Sequence, residues 1–272
     1  MSRALRCSPE TVAHQIARLG RHCLLVQARE LRRIPTLDEI AIDGFETFEW
    51  SQYFPFHHNV AVDVRSGYFL YHTDSPLRRK GRMRPQQKAR RAQLEKALGR
   101  APSRAVEDGV RELLSPIASE AIRSDDHVAY SRAVRALGRG VFHRTTSSTR
   151  RRDRHNPLWE INLLDLLIRH STAAHKRETI AWAKRRQASV EKLAIFQVWR
   201  NYMKRRREKG DQVTPAMLLG LAIRPWRIRD LLKERLFFHR SELSPCWERY
   251  YRREVNTPAL PVNRTHRLQY AF

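Results

Sequence analysis

The sequence predicts an α/β chain built on a mixed five-stranded sheet flanked by helices, with a helical segment at the N-terminus and a long basic helix toward the C-terminus. Three observations lead there. Runs of alternating apolar and polar residues gather between positions 37 and 147, the period of half-buried strands. Stretches with apolar residues at helical spacing precede, interrupt and follow those runs. The order is three strands in succession, then helices, a fourth strand, a helix, a fifth strand and a further helix, which mixes hairpin and crossover connections.

Residues 8 to 22, SPETVAHQIARLGRH, open with Ser8 as N-cap and Pro9 at the first helical position, then place Val12, Ile16 and Leu19 at helical spacing. With a second short helix from His22 to Arg33, ending before Pro35, residues 1–36 read as a partial helix-turn-helix that binds DNA. An amphipathic core helix is the plain alternative. From Leu37 the period changes. Glu39 to Ile42 forms a short strand ending in Asp43-Gly44, and FHHNVAVDVRSGYFLYHTD alternates on both sides of Arg65-Ser66-Gly67 as an antiparallel hairpin. Between about 76 and 114 the chain becomes strongly basic and helical, first in LRRKGRMRPQQKARRAQLEKALGR and then from Ser103 to Leu114. Such an insertion is either a solvated face or an arm that touches DNA backbone.

ASEAIRSDD then reads as a strand ending in Asp125-Asp126, Val128 to Leu137 as a helix, and residues 141 to 147 as the fifth strand. Asn156 and Pro157 suit the start of a helix over Leu158 to Arg169, which carries Glu160 and Asp165. In the segment that follows, His175-Lys176-Arg177, Lys184-Arg185-Arg186 and Arg200 lie among Trp182, Leu193, Phe196 and Trp199, as in a helix with one packed and one phosphate-seeking face. Residues 37–210 thus form one domain. Residues 211–272 form a basic extension with two short helices, in VTPAMLLGL and WRIRDLLKERLF, and an extended tail.

The charge points to a partner. Among 272 residues, 53 Lys and Arg against 28 Asp and Glu give a net charge of +25, while 41% apolar residues suffice for a packed core. Such a balance calls for a polyanion, nucleic acid first. There is no uninterrupted apolar run of about 18 residues and no secretory signal pattern, so the expected location is cytoplasmic, in association with the nucleoid. Cys7, Cys23 and Cys246 form no CxxC pair, which indicates neither a disulfide framework nor a structural zinc site.

Three strands with an acid at the end of the first, a fourth strand with an acid at its end, a fifth strand and then a helix that carries an acid is the layout of an RNase H-like nucleotidyl-transfer core. The chemistry explains the residue types. Two divalent ions about 4 Å apart clamp the attacking and leaving oxygens of an in-line phosphoryl displacement, and Asp or Glu oxygens suit Mg²⁺ or Mn²⁺. Without a cation such carboxylates repel one another. The neighbouring polar residues have plainer readings: Asp126 as a solvated neighbour, Asp63 as a surface or sheet-pairing residue, Asp74 as turn chemistry before Ser75-Pro76, His57, His58 and His127 as packed or hydrogen-bonded, and Trp182 and Trp199 as core.

The segments IDGFETFEW, LYHTDSPLRRKGRM, SDDHVAYSRA and NPLWEINLLDLLIRHSTAAHKRETIAWAKRRQ resemble bacterial insertion-sequence transposases of the DDE/D class, over most of the chain from about Ser8. The resemblance implies an RNase H-like fold, metal-dependent DNA cleavage and strand transfer with two Mg²⁺ or Mn²⁺ ions, and assembly as a homodimer or higher oligomer on terminal inverted repeats and target DNA. It matches Asp43 to the first acid and Asp125 to the second, and sets the third in WEINLLD. Asp165 is favoured there because Asn162 to Asp165 has the family's N-x-x-D pattern; Glu160, 35 residues after Asp125, is its rival. On a helix the two lie about 140° apart and cannot serve one metal pair. Arg177, Thr179 and Lys184 match a basic motif after the third acid, and Lys176 and Arg185 beside them join Arg177 and Lys184 as DNA-contacting candidates. Paired CxxC motifs of a zinc ribbon before SPETV are missing, so a truncated or decayed copy that only binds DNA is one rival reading. An RNase H-like nuclease without strand transfer is another.

With so much Lys and Arg, duplex binding is expected to be dominated by phosphate contacts, so that log K falls by roughly 0.9 per neutralised phosphate for each unit of log salt. Fluorescence anisotropy across a salt series measures the slope. An affinity independent of salt would remove the nucleic-acid reading.

Overall fold

The computed structural model describes residues 2–138, 140–176, 181–207 and 209–265. A short turn of helix, α1 (Ser2–Leu5), precedes α2 (Pro9–Leu31). The sheet comprises β1 (Leu37–Phe48), β2 (Pro55–Asp63), β3 (Phe69–Pro76), β4 (Ser119–Asp125) and β5 (Phe142–Thr146). Between β3 and β4 come α3 (Pro85–Leu98) and α4 (Ala105–Leu114), and α5 (Val128–Ala136) joins β4 to β5. The chain continues through α6 (Trp159–Ser171), α7 (Arg186–Val198) with a π-helical turn over Trp199–Met203, α8 (Pro215–Leu218), α9 (Ile228–Lys233) and α10 (Pro245–Tyr251).

The strand order is β3-β2-β1-β4-β5, with β1, β2 and β3 antiparallel and β4 and β5 parallel to β1. This is the RNase H-like arrangement. The first strand does not stop at Asp43 as its sequence suggested. It runs on to Phe48 because β2 offers a partner all the way, Asp43 facing Val60 and Phe48 facing Pro55. On its other side β1 pairs with β4 only as far as Ala41. Asp43 therefore lies two residues beyond the point where β4 leaves β1.

Alternation along β1 sorts the helices onto two faces. Ala41 and Phe45 pack with Ile161, Leu164 and Ile168 of α6, whereas Ile40 and Ile42 pack with Val110 and Leu113 of α4 and with Tyr130 and Ala133 of α5. In the hairpin, Asp63 is buried and accepts from Ser66 N at 2.8 Å and from the Ser66 hydroxyl. Gly67 follows at φ 70°. Asp63 is thus the residue that holds the turn, not a surface group, because the two strands leave its carboxylate facing the turn amides.

The edge strand β3 is capped by side chains. Asn201 accepts from Phe69 N and donates to Phe69 O, both at 2.8 Å; Gln197 donates to the carbonyls of Phe69 and Leu70 at 3.0 Å, and Trp247 Nε1 to that of His72 at 2.9 Å. Trp247 also stacks on Tyr71, ring centroids 4.3 Å apart. Helix α10 is therefore part of the core, and its signal is in the sequence: Ser244 caps it by accepting from Trp247 N, and Pro245 occupies its first position.

Several sequence-based expectations change here. No break occurs near His22: α2 is one 23-residue helix, and Cys23, Leu24, Leu25 and Val26 are buried against the layer that contains α7. Gly20 permits the crossing, since a Cβ there would stand 2.6 Å from Glu191 O. Of the basic insertion, α3 has no buried residue, while α4 lies on β2 and β3 as a core helix. The described residues of 175–204 do not form one helix with a phosphate-seeking face. His175 ends a 3-10 turn and bonds Ser189, Arg186 lies between Glu49 and Asp74, and Arg200 is 3% exposed. Asp74 is consequently an ion-pairing residue of β3, held also by Tyr250 at 2.5 Å, and its expected turn role fails because the strand extends past it.

Asn201→Ala removes a donor and an acceptor from the buried edge of β3. The expected cost is about 2–3 kcal/mol, read as a lower denaturant midpoint at unchanged m value. An unchanged midpoint would show that water replaces the amide.

Candidate active site

Asp43, Asp125 and Asp165 line one open cavity of about 650 Å³ at the C-terminal end of β4, together with His57, His127, Tyr130 and Arg152. Each acid comes from a different element and is fixed by a different neighbour. Asp43 is held in β1 by the Gly44 amide at 2.7 Å, and the Tyr130 hydroxyl donates to its Oδ1 at 3.3 Å. Burial pushes its pKa up to about 6; the Gly44 N–H opposes this, the charges of Asp125 and Asp165 add to it, and Arg152 opposes it more weakly. Burial and the Asp43 charge also hold the Tyr130 phenol well above its ordinary value, so it acts as a donor.

Asp125 ends β4 and accepts from His127 N at 2.9 Å, and His127 in turn caps α5 by accepting from Ala129 N. Asp165 accepts from Arg169 Nε through both oxygens, at 3.1 and 3.0 Å, and the guanidinium lies 5.5 Å from the Phe45 ring centre. The next acid along, Asp126, turns away and is held below the ordinary carboxylate range by bonds from Ser148.

The two acids of α6 go to different places. The buried stripe of this helix is Ile161, Leu164 and Ile168, and at about 100° per residue Asp165 sits roughly 70° to one side of it and Glu160 roughly 70° to the other. Asp165 overhangs the cavity. Glu160 instead pairs with Arg206 at 3.1 Å beside the Gly67 turn and does not line the cavity.

The histidines divide likewise. His58 is buried and bonds Ser189 at 2.7 Å, as a packed residue should. His57 lines the cavity beside Gly44; burial lowers its pKa to about 4, and its Nδ1 has no hydrogen-bond partner among the described residues. Of the basic motif, Arg177 and Thr179 lie outside the described residues. Lys176 is exposed, Lys184 sets its Nζ 3.2 Å from the Trp182 ring centre, and Arg185 donates to Val262 O at 3.0 Å. None of these three lines the acidic cavity. Tyr130, Arg152 and Arg169 were not singled out from the sequence. Arg152 is one of four arginines in TRRRDRHNP, and composition cannot distinguish it from the others.

Carboxylate oxygens are the donors that hard divalent cations take, and a buried Asp43 whose pKa two other acids raise is a place where a cation would relieve repulsion. The donor set fits Mg²⁺ or Mn²⁺ in kind. Among the described residues, no three His, Cys, Asp or Glu side chains converge to hold an ion.

No family model matches the chain, and no curated protein matches it in sequence. Solved structures similar to it include a chain of the simian T-cell lymphotropic virus intasome in complex with PP2A regulatory subunit B56 gamma, at 12% identity and TM-score 0.32, with 68% of this chain and 55% of that one covered. This chain thus spans about half the length of that one. The HTLV-2 integrase catalytic core domain in complex with magnesium is similar in its dimeric form at 11% identity and TM-score 0.32, over 68% of this chain and 97% of that one. Its trimeric form gives 12% and 0.31, over 67% and 95%. Likeness at this level carries no functional inference, and the fold rests on strand order and register.

The Asp43 carboxyl is about 6 when folded against an ordinary 3.8, so the native chain binds this proton more tightly than the unfolded one. The resulting stabilisation is complete below about pH 4 and is lost as pH rises through 6. In metal-free buffer at pH 7.5, Asp43→Asn is expected to stabilise the fold by about 3 kcal/mol and to flatten its pH profile between 4 and 6, measured by urea midpoints. A variant that leaves the profile unchanged would show that Asp43 is solvated.

Proposed function

We propose that the chain is a DNA transposase of the DDE/D class, which cleaves DNA at the ends of an insertion-sequence element and joins those ends to target DNA. What supports this reading is that Asp43, Asp125 and Asp165, from β1, β4 and α6, line one cavity of an RNase H-like sheet, in a chain of net charge +25. Asp165 is the third acid in this proposal, and Glu160 is an ion-pairing residue.

When bound between these acids, a pair of Mg²⁺ or Mn²⁺ ions would supply the Lewis acidity that in-line phosphoryl displacement needs. The residues of the chain prepare the place. Gly44 N–H and Tyr130 orient Asp43, the His127 amide orients Asp125, and Arg169 holds Asp165. Arg152 presents a positive charge on the same cavity, suited to a phosphate oxygen. In cleavage, the oxygen of a water attacks phosphorus and the bond to the 3′ oxygen breaks, which leaves a 3′-hydroxyl. In transfer, that hydroxyl gives up its proton as its oxygen bonds to a phosphorus of the target, and the bond from that phosphorus to the target's 3′ oxygen breaks, which leaves a target 3′-hydroxyl. The partners are double-stranded terminal repeats and target DNA, engaged by a homodimer or higher oligomer.

The test is cleavage and joining in vitro with Mg²⁺, on DNA that carries the element's flanking repeats. Asp43→Asn, Asp125→Asn and Asp165→Asn are each expected to lower cleavage by more than about 100-fold while binding stays within a few-fold, and Glu160→Gln to keep cleaving. Loss in Glu160→Gln with retention in Asp165→Asn reverses the assignment. Cleavage without joining identifies a nuclease, and a mobility shift without cleavage identifies a binding protein.

A further inference from the structure

Next to the acidic cavity lies a groove of about 820 Å³ whose floor shares His57 and His127 with it. One wall is the loop after β3 with the edge of α3, and the other is the loop from Arg100 to Arg104 with the first turns of α4 and α5. Seven of its side chains are Lys or Arg and two, Glu46 and Glu107, are acidic.

Internal contacts account for only part of this charge. Arg78 and Arg91 face Glu95, and Arg79 donates to Gln52 O with its guanidinium 5.6 Å from the Tyr53 ring centre. Lys80, Arg104 and Arg132 are exposed and form no ion pair among the described residues. His57 adds no charge at neutral pH, since burial holds its pKa near 4.

The wall itself needs explanation. Helix α3 has no buried residue and carries polar side chains on every side, so little packing holds it. Its attachment includes the Arg78 fork on Glu95, at 2.7 and 3.0 Å. A helix kept at the rim by such a bond, with cations of the adjoining loops turned into the groove, suits a polyanion that lies between it and α5.

We propose that this groove binds the phosphate backbone of the DNA strand next to the phosphate in the acidic cavity, through Lys80, Arg104 and Arg132. The proposal rests on the transposase reading and extends it to where the strand runs. Its lining is rich in guanidinium groups, which bond phosphate oxygens and carry no base code in such contacts. The groove therefore grips terminal-repeat and random DNA alike.

The test uses the full chain with Lys80→Gln, Arg104→Gln and Arg132→Gln combined. A charge-matched control combines Arg229→Gln, Lys233→Gln and Arg235→Gln, none of which lines the groove or the cavity. Circular dichroism melts establish that both variants fold. For the groove variant, the slope of log K against log salt is expected to fall by about 2 to 3, from three phosphates at roughly 0.9 each, equally on repeat and random duplexes. Its hydroxyl-radical footprint should lose protection only on nucleotides adjoining the cut, while the control keeps that protection. Equal slope losses in both variants assign the effect to net charge and overturn the proposal. So does an unchanged footprint in the groove variant while wild type still cleaves, which leaves the transposase reading standing. Failure of wild-type protein to cleave DNA, with the groove variant still showing the slope loss and the local footprint change, removes the transposase reading and keeps a DNA groove.

Discussion

β1 is hydrogen-bonded to two neighbours as far as Ala41 and to one beyond it. That loss of a partner organises the functional end of the molecule. Because β4 ends at Asp125 while β1 continues beside β2, a gap opens between the two strands where Asp43 still has a rigid backbone on one side. With α6 on one face and α5 on the other, Asp165 shares the cavity of Asp43 and Tyr130 bonds it. A cluster of like charges is thereby carried on two strands and a helix, elements that deform little. Burial first, and the charges of Asp125 and Asp165 after it, raise the pKa of Asp43 there.

The sheet was legible because it is written in periods. Alternation located the β2–β3 hairpin and short runs the other three strands, and acids at their ends directed attention to Asp43 and Asp125. What the period could not supply was extent: β1 outruns its apolar run because β2 pairs with it through Glu46 and Thr47, and a pairing partner leaves no mark in the strand's own sequence. The choice between Glu160 and Asp165 was illegible for a related reason. The buried stripe of α6 is Ile161, Leu164 and Ile168. That stripe is flanked equally by both acids, so only the position of the strand ends separates them.

Charge was the least legible property. A basic residue in a sequence reads the same whether it meets solvent or a buried acid. Arg186 stood in a run that suggested phosphate contact, yet it lies between Glu49 and Asp74 with its pKa raised by those two charges. Arg206 is likewise committed to Glu160, and Arg253 to Glu191. The surplus of +25 is thus distributed unevenly. Internal acids take up arginines around α7 and the C-terminal segment, while Lys80, Arg104 and Arg132 beside α3, α4 and α5 stay exposed. Net charge announces a polyanion partner but does not say where the partner rests.

The capping of β3 by Asn201, Gln197 and Trp247 makes the two ends of the sheet unequal. At β3 the carbonyls of Phe69, Leu70 and His72 already have side-chain partners, which shortens the ladder open to a foreign strand there. At β5 no further strand follows among the described residues, and Phe142 is 61% exposed. The sheet is in this sense polar, like a filament with one hindered and one open end, and β5 is the edge that strand addition meets with less in its way.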